Sequence, residues 1–213
     1  MLIYTGGVSG ERKVAACAER SLGTMITTGP KTKTNKVWSE FPCALDNGAF
    51  RCWQRGYPWM EKAFWSQLES CHKNGIDLDF IVAPDIVAGG RRSLEFSDSW
   101  IRGALMTAPR LALVVQDGMS VSDVLHSDVL ADNVTHIFVG GTVTWKWETA
   151  EEWVEFAHER GLKCHIGRCG KIEALREAER IGADSVDSTS FARNDSWHII
   201  DEFIQPTQEG LGL

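Results

Sequence analysis

Two aspartates, Asp46 and Asp187, are the residues of this 213-residue chain best suited to chemistry. Each ends a short apolar, strand-like run, residues 44–46 and 185–187, and each is followed by small or polar residues. A carboxylate at the end of a buried strand loses hydration, so it persists only where it is protonated, paired or used. If two such groups meet at one site, they can divide the roles of nucleophile and proton donor at one carbon centre.

Eight short β-rich segments must position these residues. Several are continuously apolar, which is typical of parallel strands covered on both faces. They lie near 2–5, 23–27, 43–46, 80–84, 111–116, 136–139, 163–166 and 184–187, and residues 29–36 read as one long polar loop. Helical spacing between them predicts helices, one beginning at Thr149 and one with a stripe from Ile172 to Ile181. The alternation predicts an α/β fold, a single (β/α)8 barrel domain over residues 1–213. An open doubly wound sheet is the alternative, although no dinucleotide fingerprint follows the first segment.

In a (β/α)8 barrel, the catalytic groups lie at the C-terminal ends of the strands. A lone aspartate at such an end more often caps a turn. Here several strands end in a polar residue or glycine, and all of these residues would meet at the C-terminal end of the barrel, its mouth. They are Asp46, Asp85, Gln116, Gly140, Gly141, Gly167 and Asp187.

Composition restricts the class of protein. The formal net charge of −7 argues against indiscriminate nucleic-acid coating, which depends on Lys and Arg. The sequence has no apolar run of membrane-span length and no recognisable export signal, so we expect a cytoplasmic protein without a membrane partner. The six cysteines form no CxxC pair and predict reduced, buried thiols. Only Cys164, His165 and Cys169 come near a zinc-ligand spacing, and we expect no structural zinc.

Four motifs together resemble the tRNA-guanine transglycosylase superfamily, including its DNA-modifying branch. Residues 46–50, Asp-x-Gly-x-Phe, resemble the family's Asp-Ser-Gly-Gly-aromatic motif, and residues 115–118, Val-Gln-Asp-Gly, resemble its Val-Gln-Gly-Gly. Residues 139–141 resemble its Gly-Gly turn, and residues 187–194 resemble the run from the catalytic aspartate to Arg-Asn. The motifs occur in the family's order over roughly residues 43 to 194.

The resemblance implies a (β/α)8 enzyme that exchanges guanine in a polynucleotide for a 7-deazaguanine base. Asp187 would attack C1′ of the nucleotide, and Asp46 would transfer a proton to or from the purine. The base would be held by Asp85, Gln116, Gly140, the Gly141 amide, Gly167, Phe50 on one face and Ile166 on the other. Base exchange with retention at the sugar is a double displacement, which requires a nucleophile and a proton-transfer group.

Basic residues near the predicted strand ends favour a polynucleotide substrate. They are Lys31, Lys33, Lys36, Arg51, Arg55, Arg91, Arg92, Lys146, Arg168, Lys171 and Arg193. We expect Arg193, Arg168 and Lys146 to contact phosphates. Trp53, Trp145 and Trp147 are candidate stacking platforms. His136 and His165 lie inside strand-like runs and are interpreted as core residues outside the site.

The sequence departs from the family's tRNA enzymes in two places. No cysteine follows Cys169, so the C-terminal zinc subdomain is not expected, and this favours DNA over tRNA. The segment Trp145-Lys146-Trp147 stands where an acidic residue is expected after the Gly-Gly turn. The alternatives are a tRNA-guanine transglycosylase, a base-removing N-glycosidase, a nucleobase- or nucleic-acid-binding module without catalysis, and an unrelated small-molecule barrel enzyme. The expected partners are DNA and a 7-deazaguanine base as co-substrate. A protein partner and a homo-oligomer are both left open. If the protein is encoded by a virus, its location would be the host cytoplasm.

Overall fold

The structure is a computed structural model that describes residues 1–30 and 32–205. Its eight parallel strands form a closed barrel in chain order, and helices alternate with them, which confirms the predicted (β/α)8 fold. The strands are β1 Leu2–Gly6, β2 Gly23–Thr27, β3 Cys43–Asp46, β4 Leu78–Val82, β5 Leu111–Val115, β6 Val134–Val139, β7 Lys163–Ile166 and β8 Ser185–Ser188. The helices are α1 Glu11–Glu19, α2 Ala49–Gln54, α3 Glu61–Lys73, α4 Arg91–Arg102, α5 Val121–Leu125, α6 Val143–Glu159, α7 Ile172–Arg180, α8 Ser190–Arg193 and α9 Trp197–Ile204, with a 3₁₀ helix at Lys36–Glu40.

Side chains alternate between two apolar layers along each strand, because successive residues of a strand point to opposite faces. A small cluster fills the barrel interior and includes Tyr4, Met25, Phe80 and Val114. A larger cluster lies between the strands and the surrounding helices and contains most of the buried apolar side chains. The interior cluster forms a floor, and the residues at the C-terminal strand ends lie above it.

Helix α6 begins earlier than the sequence pattern suggested. Thr142 precedes its first turn, and the Thr142 hydroxyl accepts a hydrogen bond from the amide of Trp145. The predicted start at Thr149 is therefore wrong, because Thr149 lies inside the helix, where its hydroxyl donates to the Trp145 carbonyl oxygen at 2.9 Å. In contrast, the stripe predicted for α7 is present, and Leu175 and Ala178 are completely buried.

The segment after β2 also differs slightly from expectation. The residues described after Thr28 continue as a loop, and Asn35 then caps the 3₁₀ helix by accepting a hydrogen bond from the amide of Val37. Lys36 is thus the first residue of that helix and not the end of the loop. Lys31 lies outside the described residues. No helix in the described ranges is both long enough and apolar enough to cross a membrane.

Candidate functional site

Three carboxyl groups share the C-terminal end of the barrel. Asp46 is the last residue of β3, Asp187 lies in β8, and Asp85 follows β4 by three residues. Burial raises the pKa of Asp46 to about 7, and the negative charges of Asp187 and Asp85 contribute to this rise, against hydrogen bonds from the backbone of Gly48 and Asn47. A group with this pKa can both accept and release a proton near neutrality.

A tight turn after β3 fixes the position of Asp46. Gly48 has a φ of 79° and donates its amide to Oδ1 of Asp46 at 3.3 Å. A side chain at Gly48 would begin 2.8 Å from the Thr28 carbonyl oxygen, so this turn requires glycine. On the other side, the Thr28 hydroxyl donates to the Asp46 carbonyl oxygen at 2.7 Å.

Asp187 is held through one of its carboxylate oxygens. The backbone amide of Arg168 donates to Oδ1 at 3.1 Å, and Nε2 of His165 lies 3.2 Å from the same atom. The side chain is 13% exposed, at the edge of the mouth. The loop after β7 approaches this closely because residue 167 is glycine, since a Cβ there would lie 2.7 Å from the Phe138 ring.

His165 is a site residue that the sequence interpretation missed. It is completely buried, and its ring contacts Asp187 at Nε2 and the Ser185 hydroxyl at Nδ1, 2.9 Å away. The tautomer with hydrogen on Nε2 satisfies both contacts, because Nε2 then donates to Asp187 while Nδ1 accepts from Ser185. Asp187 lies two positions after Ser185 on β8, so both point to the barrel interior, and this period-two pattern was the available signal.

Asp85 belongs to a buried hydrogen-bond network. Asn47 donates to Oδ1 of Asp85 at 2.8 Å, and Nε2 of Gln116 lies 3.2 Å from Oδ2. Burial raises the pKa of Asp85 to about 6, although the hydrogen bonds from Asn47 and Gln116 oppose this shift. Each carboxylate oxygen retains a second lone pair, so Asp85 can still accept hydrogen bonds from a ligand. Asn47 was not predicted as a site residue.

Gln116 makes its hydrogen bonds within the protein. Its Oε1 accepts from the amide of Ala88 at 2.6 Å, and the two hydrogens on Nε2 are shared among three acceptors, the Ile86 carbonyl oxygen, the Ser93 hydroxyl and Asp85. The side chain is 2% exposed. In this conformation Gln116 positions Asp85 and the segment after β4, and does not present a free amide edge as the sequence analysis expected.

Phe50 and Arg168 close over the mouth together. The Arg168 guanidinium carbon lies 4.6 Å from the centre of the Phe50 ring, and the guanidinium also hydrogen-bonds the Gly141 carbonyl oxygen. Trp53 stacks on Phe50 with ring centres 5.8 Å apart. Arg168 adopts a φ of 62°, an uncommon conformation for a residue other than glycine. A base that stacks on the face of Phe50 covered by Arg168 must displace this guanidinium.

The turn at Gly140 and Gly141 connects β6 to α6, and Asp117, which follows β5, holds the start of α6 in place. The two carboxylate oxygens of Asp117 accept from the Thr142 amide and hydroxyl, at 2.7 and 2.6 Å. A Cβ at Gly141, whose φ is 73°, would lie 2.6 Å from Asp117. Glycine is therefore required for the carboxylate to reach the start of α6.

Two predicted site residues are not at the mouth. Lys146 lies inside α6 and is 1% exposed, with Nζ donating to the Gly167 carbonyl oxygen at 2.6 Å, so it is not available to a phosphate. Burial lowers the pKa of this ammonium group. Ile166 is completely buried in the layer between strands and helices, so it cannot cover a base face. Trp145 and Trp147 also pack against that layer instead of forming an exposed platform.

In the part of the chain that the structure describes, the arginines divide into those that pair with a carboxylate and those near the C-terminal strand ends that do not. Most arginines of the described residues pair with a carboxylate, and Arg91 does so with Asp123 at 3.3 Å. Within residues 1–30 and 32–205, the arginines with no carboxylate oxygen within 4.0 Å all follow strand ends: Arg51, Arg55, Arg92, Arg168 and Arg193. Arg55, Arg92, Arg168 and Arg193 are exposed, as are Lys33, Lys36 and Lys171. The mouth therefore carries cationic groups that are free to meet an anionic ligand.

All six cysteines are buried free thiols, and the described part of the chain brings together no group of three or more His, Cys, Asp or Glu side chains that could hold a metal ion. Comparison with protein-family models and with curated proteins gave no match.

Proposed function

We propose that this protein is a DNA-guanine transglycosylase, which replaces guanine in DNA with a 7-deazaguanine base through a covalent aspartyl-nucleotide intermediate. The observation that carries the proposal is the pair of Asp46 and Asp187 at one barrel mouth, in different environments. Asp46 has a pKa raised to about 7, whereas Asp187 accepts two N–H hydrogen bonds on one oxygen. Paired carboxyl groups with distinct environments are typical of a division between acid/base and nucleophilic roles.

In the first half-reaction, a carboxylate oxygen of Asp187 attacks C1′ of the target nucleotide. The bond from C1′ to the purine nitrogen breaks, its electron pair leaves with the purine, and Asp46 supplies a proton to the departing base. In the second half, Asp46 takes a proton from the incoming base, whose nitrogen attacks C1′ and releases Asp187. Two inversions at C1′ retain the sugar configuration.

Asp85 is the best-placed group to select the base. Its two oxygens are oriented by Asn47 and Gln116, and each can accept one more hydrogen bond. The N–H groups of guanine offer suitable donors for a carboxylate. A base without those donors would leave the remaining lone pairs of Asp85 unpaired in a buried site, which disfavours its binding.

The unpaired arginines around the mouth support a polymeric substrate. A target guanine must leave its stack to reach strand-end groups, and extrusion costs less from a single strand than from a duplex. Cations such as Arg193 can hold flanking phosphates, so exchange should weaken steeply as salt is added.

A base-exchange assay tests the proposal. The protein is incubated with radiolabelled guanine and single-stranded DNA, duplex DNA or tRNA, and label in the polymer is measured at low and high salt. We expect incorporation into DNA, faster in single strands and mismatched sites, and none with Asp187→Asn. Label in tRNA alone would replace DNA by tRNA as the substrate, and loss of guanine without incorporation would indicate an N-glycosidase. Binding of DNA with neither outcome would indicate a module without catalysis.

A further inference from the structure

A second concavity lies beside the mouth, between the loop after β2 and the turn after α2. Its volume is about 290 Å³, and its wall includes Thr28, Gly29, Arg51, Arg55, Tyr57 and Met60. Apart from the two guanidinium groups, this wall is largely apolar. None of the roles assigned so far uses Tyr57 or this cavity.

The cavity lies next to the turn that carries Asp46. Thr28 lines it, and the same residue donates its hydroxyl to the Asp46 carbonyl oxygen at 2.7 Å. Gly48, which donates to the Asp46 carboxylate, packs against the carbonyl oxygen of Thr28 on the other side. Thr28 is therefore shared between the wall of the cavity and the turn that holds Asp46.

The segment that borders the cavity alternates aromatic and arginine residues. From α2 into the following turn, these residues follow one another at intervals of one or two positions: Phe50, Arg51, Trp53, Arg55 and Tyr57. Trp53 is 55% exposed and Tyr57 is 62% exposed. Aromatic rings flanked by cations are the surface that binds single-stranded nucleic acid, because rings stack on bases while arginines meet the phosphates.

We propose that this cavity is a subsite for the nucleotide adjacent to the target in a single-stranded polynucleotide. Its base stacks on Tyr57, and its phosphate is held by Arg51 and Arg55. Within the described residues neither guanidinium has a carboxylate within 4.0 Å, so both charges are available to the phosphate. That the neighbouring nucleotide is the one modified rests on the proposed function, whereas the affinity of the cavity for a nucleotide does not.

Binding of fluorescent single-stranded oligonucleotides, followed by anisotropy, tests the subsite without any turnover. Because a base gains affinity by stacking on an aromatic side chain, Tyr57→Ala should raise Kd by about tenfold, and Arg55→Ala should raise Kd and reduce the salt dependence of binding. The control is Arg176→Ala, which removes an exposed arginine on α7 that pairs with Glu202. Parallel DNA and RNA oligonucleotides show which polymer the subsite prefers.

Photo-crosslinking then locates the base. Oligonucleotides with 5-iodouracil on either side of a single guanine are irradiated with the protein, and the adduct is mapped by mass spectrometry. We expect a crosslink at Tyr57 from one of the two positions. Unchanged Kd in Tyr57→Ala, with crosslinks elsewhere, would overturn the subsite even if base exchange occurs. Conversely, a Tyr57 crosslink and weakened binding without any exchange would uphold the subsite and reject the transglycosylase.

Discussion

Nε2 of His165 lies 3.2 Å from Oδ1 of Asp187, across neighbouring strands of the barrel. In the register of β7 and β8, His165 pairs with Ser185, so Asp187 is two residues closer to the mouth. The imidazole thus lies beneath the carboxylate and connects it to the Ser185 hydroxyl. The Arg168 amide also reaches Oδ1, so both bonds orient one oxygen and leave Oδ2 for the proposed attack on C1′.

His165 should therefore affect the rate of exchange more than substrate binding. Replacing it with phenylalanine keeps a ring but removes the donor to Asp187, and we expect kcat to fall by about tenfold or more with KM little changed. His165→Gln should recover part of the rate, because its amide can still donate. The measurements are kcat and KM across pH, with the exposed His126→Gln as control. A change confined to KM would exclude a role in positioning the nucleophile.

Substitution of Asp187 and of Asp46 should affect base exchange in different ways. Asp187→Asn removes the proposed nucleophile but keeps its size, so exchange and the covalent intermediate should both be lost while the fold remains. Asp46→Asn removes the proposed proton-transfer group, and such groups contribute about 10²–10⁴-fold to a rate. Some adduct should still form in this variant. Denaturing gels of protein mixed with labelled oligonucleotide would distinguish the two, and full activity in Asp187→Asn would rule out the mechanism.

Stability should depend on pH through Asp46 and Asp85. Their pKa values, raised to about 7 and about 6 in the folded protein, lie above the value of about 3.9 for an unfolded aspartate. Protonation therefore favours the folded state: the contribution is complete below about pH 4 and is lost as pH rises through each folded pKa.

The asparagine side chain in Asp46→Asn stays uncharged at every pH, so this variant should lose less stability than the wild type as pH rises. We expect its Tm to exceed that of the wild type at pH 8 by roughly 2 °C or more, which corresponds to about 1 kcal/mol in a domain of this size. At pH 4 the difference should be smaller. Thermal unfolding across this range measures it, with the exposed Asp132→Asn as control. An equal difference at both pH values would mean that the effect comes from packing and not from titration.

The sequence was sufficient to place the strands, because most are apolar runs with polar ends. β5 was predicted within one residue, and its five residues are all buried. β4 was displaced by two residues, since the apolar pattern continues into Ala83 and Pro84 although the strand ends at Val82. Proline has no amide hydrogen to continue the ladder, which was the signal for an earlier end. Because the strand ends were placed nearly correctly, the sequence also predicted that Asp46, Asp85 and Asp187 lie together at the C-terminal end of the barrel.

Side-chain direction was harder to predict than position. Lys146 shares the buried helical spacing of Ala150, Trp153 and Ala157, but its charge suggested an exposed loop. The Gly167 carbonyl oxygen compensates for its burial, and this partner is far away in sequence. Gln116 was placed correctly, but its hydrogen bonds to Ala88 and Ser93 depend on the path of the loop after β4, which no local pattern indicates.

The guanidinium of Arg168 covers the Phe50 ring, on which the target base is proposed to stack. To admit a base, this side chain must leave both the ring and the Gly141 carbonyl oxygen, after which it can meet a phosphate. Arg168→Ala should therefore have opposite effects on two ligands. Free guanine should bind more tightly, because nothing has to be displaced. A single-stranded oligonucleotide should lose a phosphate contact and bind with a salt slope smaller by about one.

Arg193→Ala is the matched control, since Arg193 is exposed at the end of α8, and we expect it to weaken oligonucleotide binding without affecting guanine. Both alanine variants keep a Cβ, so the cost of the φ of 62° at residue 168 is unchanged. The backbone amide of residue 168 also remains to donate to Asp187. Calorimetry with guanine and anisotropy with the oligonucleotide measure the two affinities. Weaker guanine binding in Arg168→Ala would mean that the arginine is a wall of the base pocket and does not occlude it.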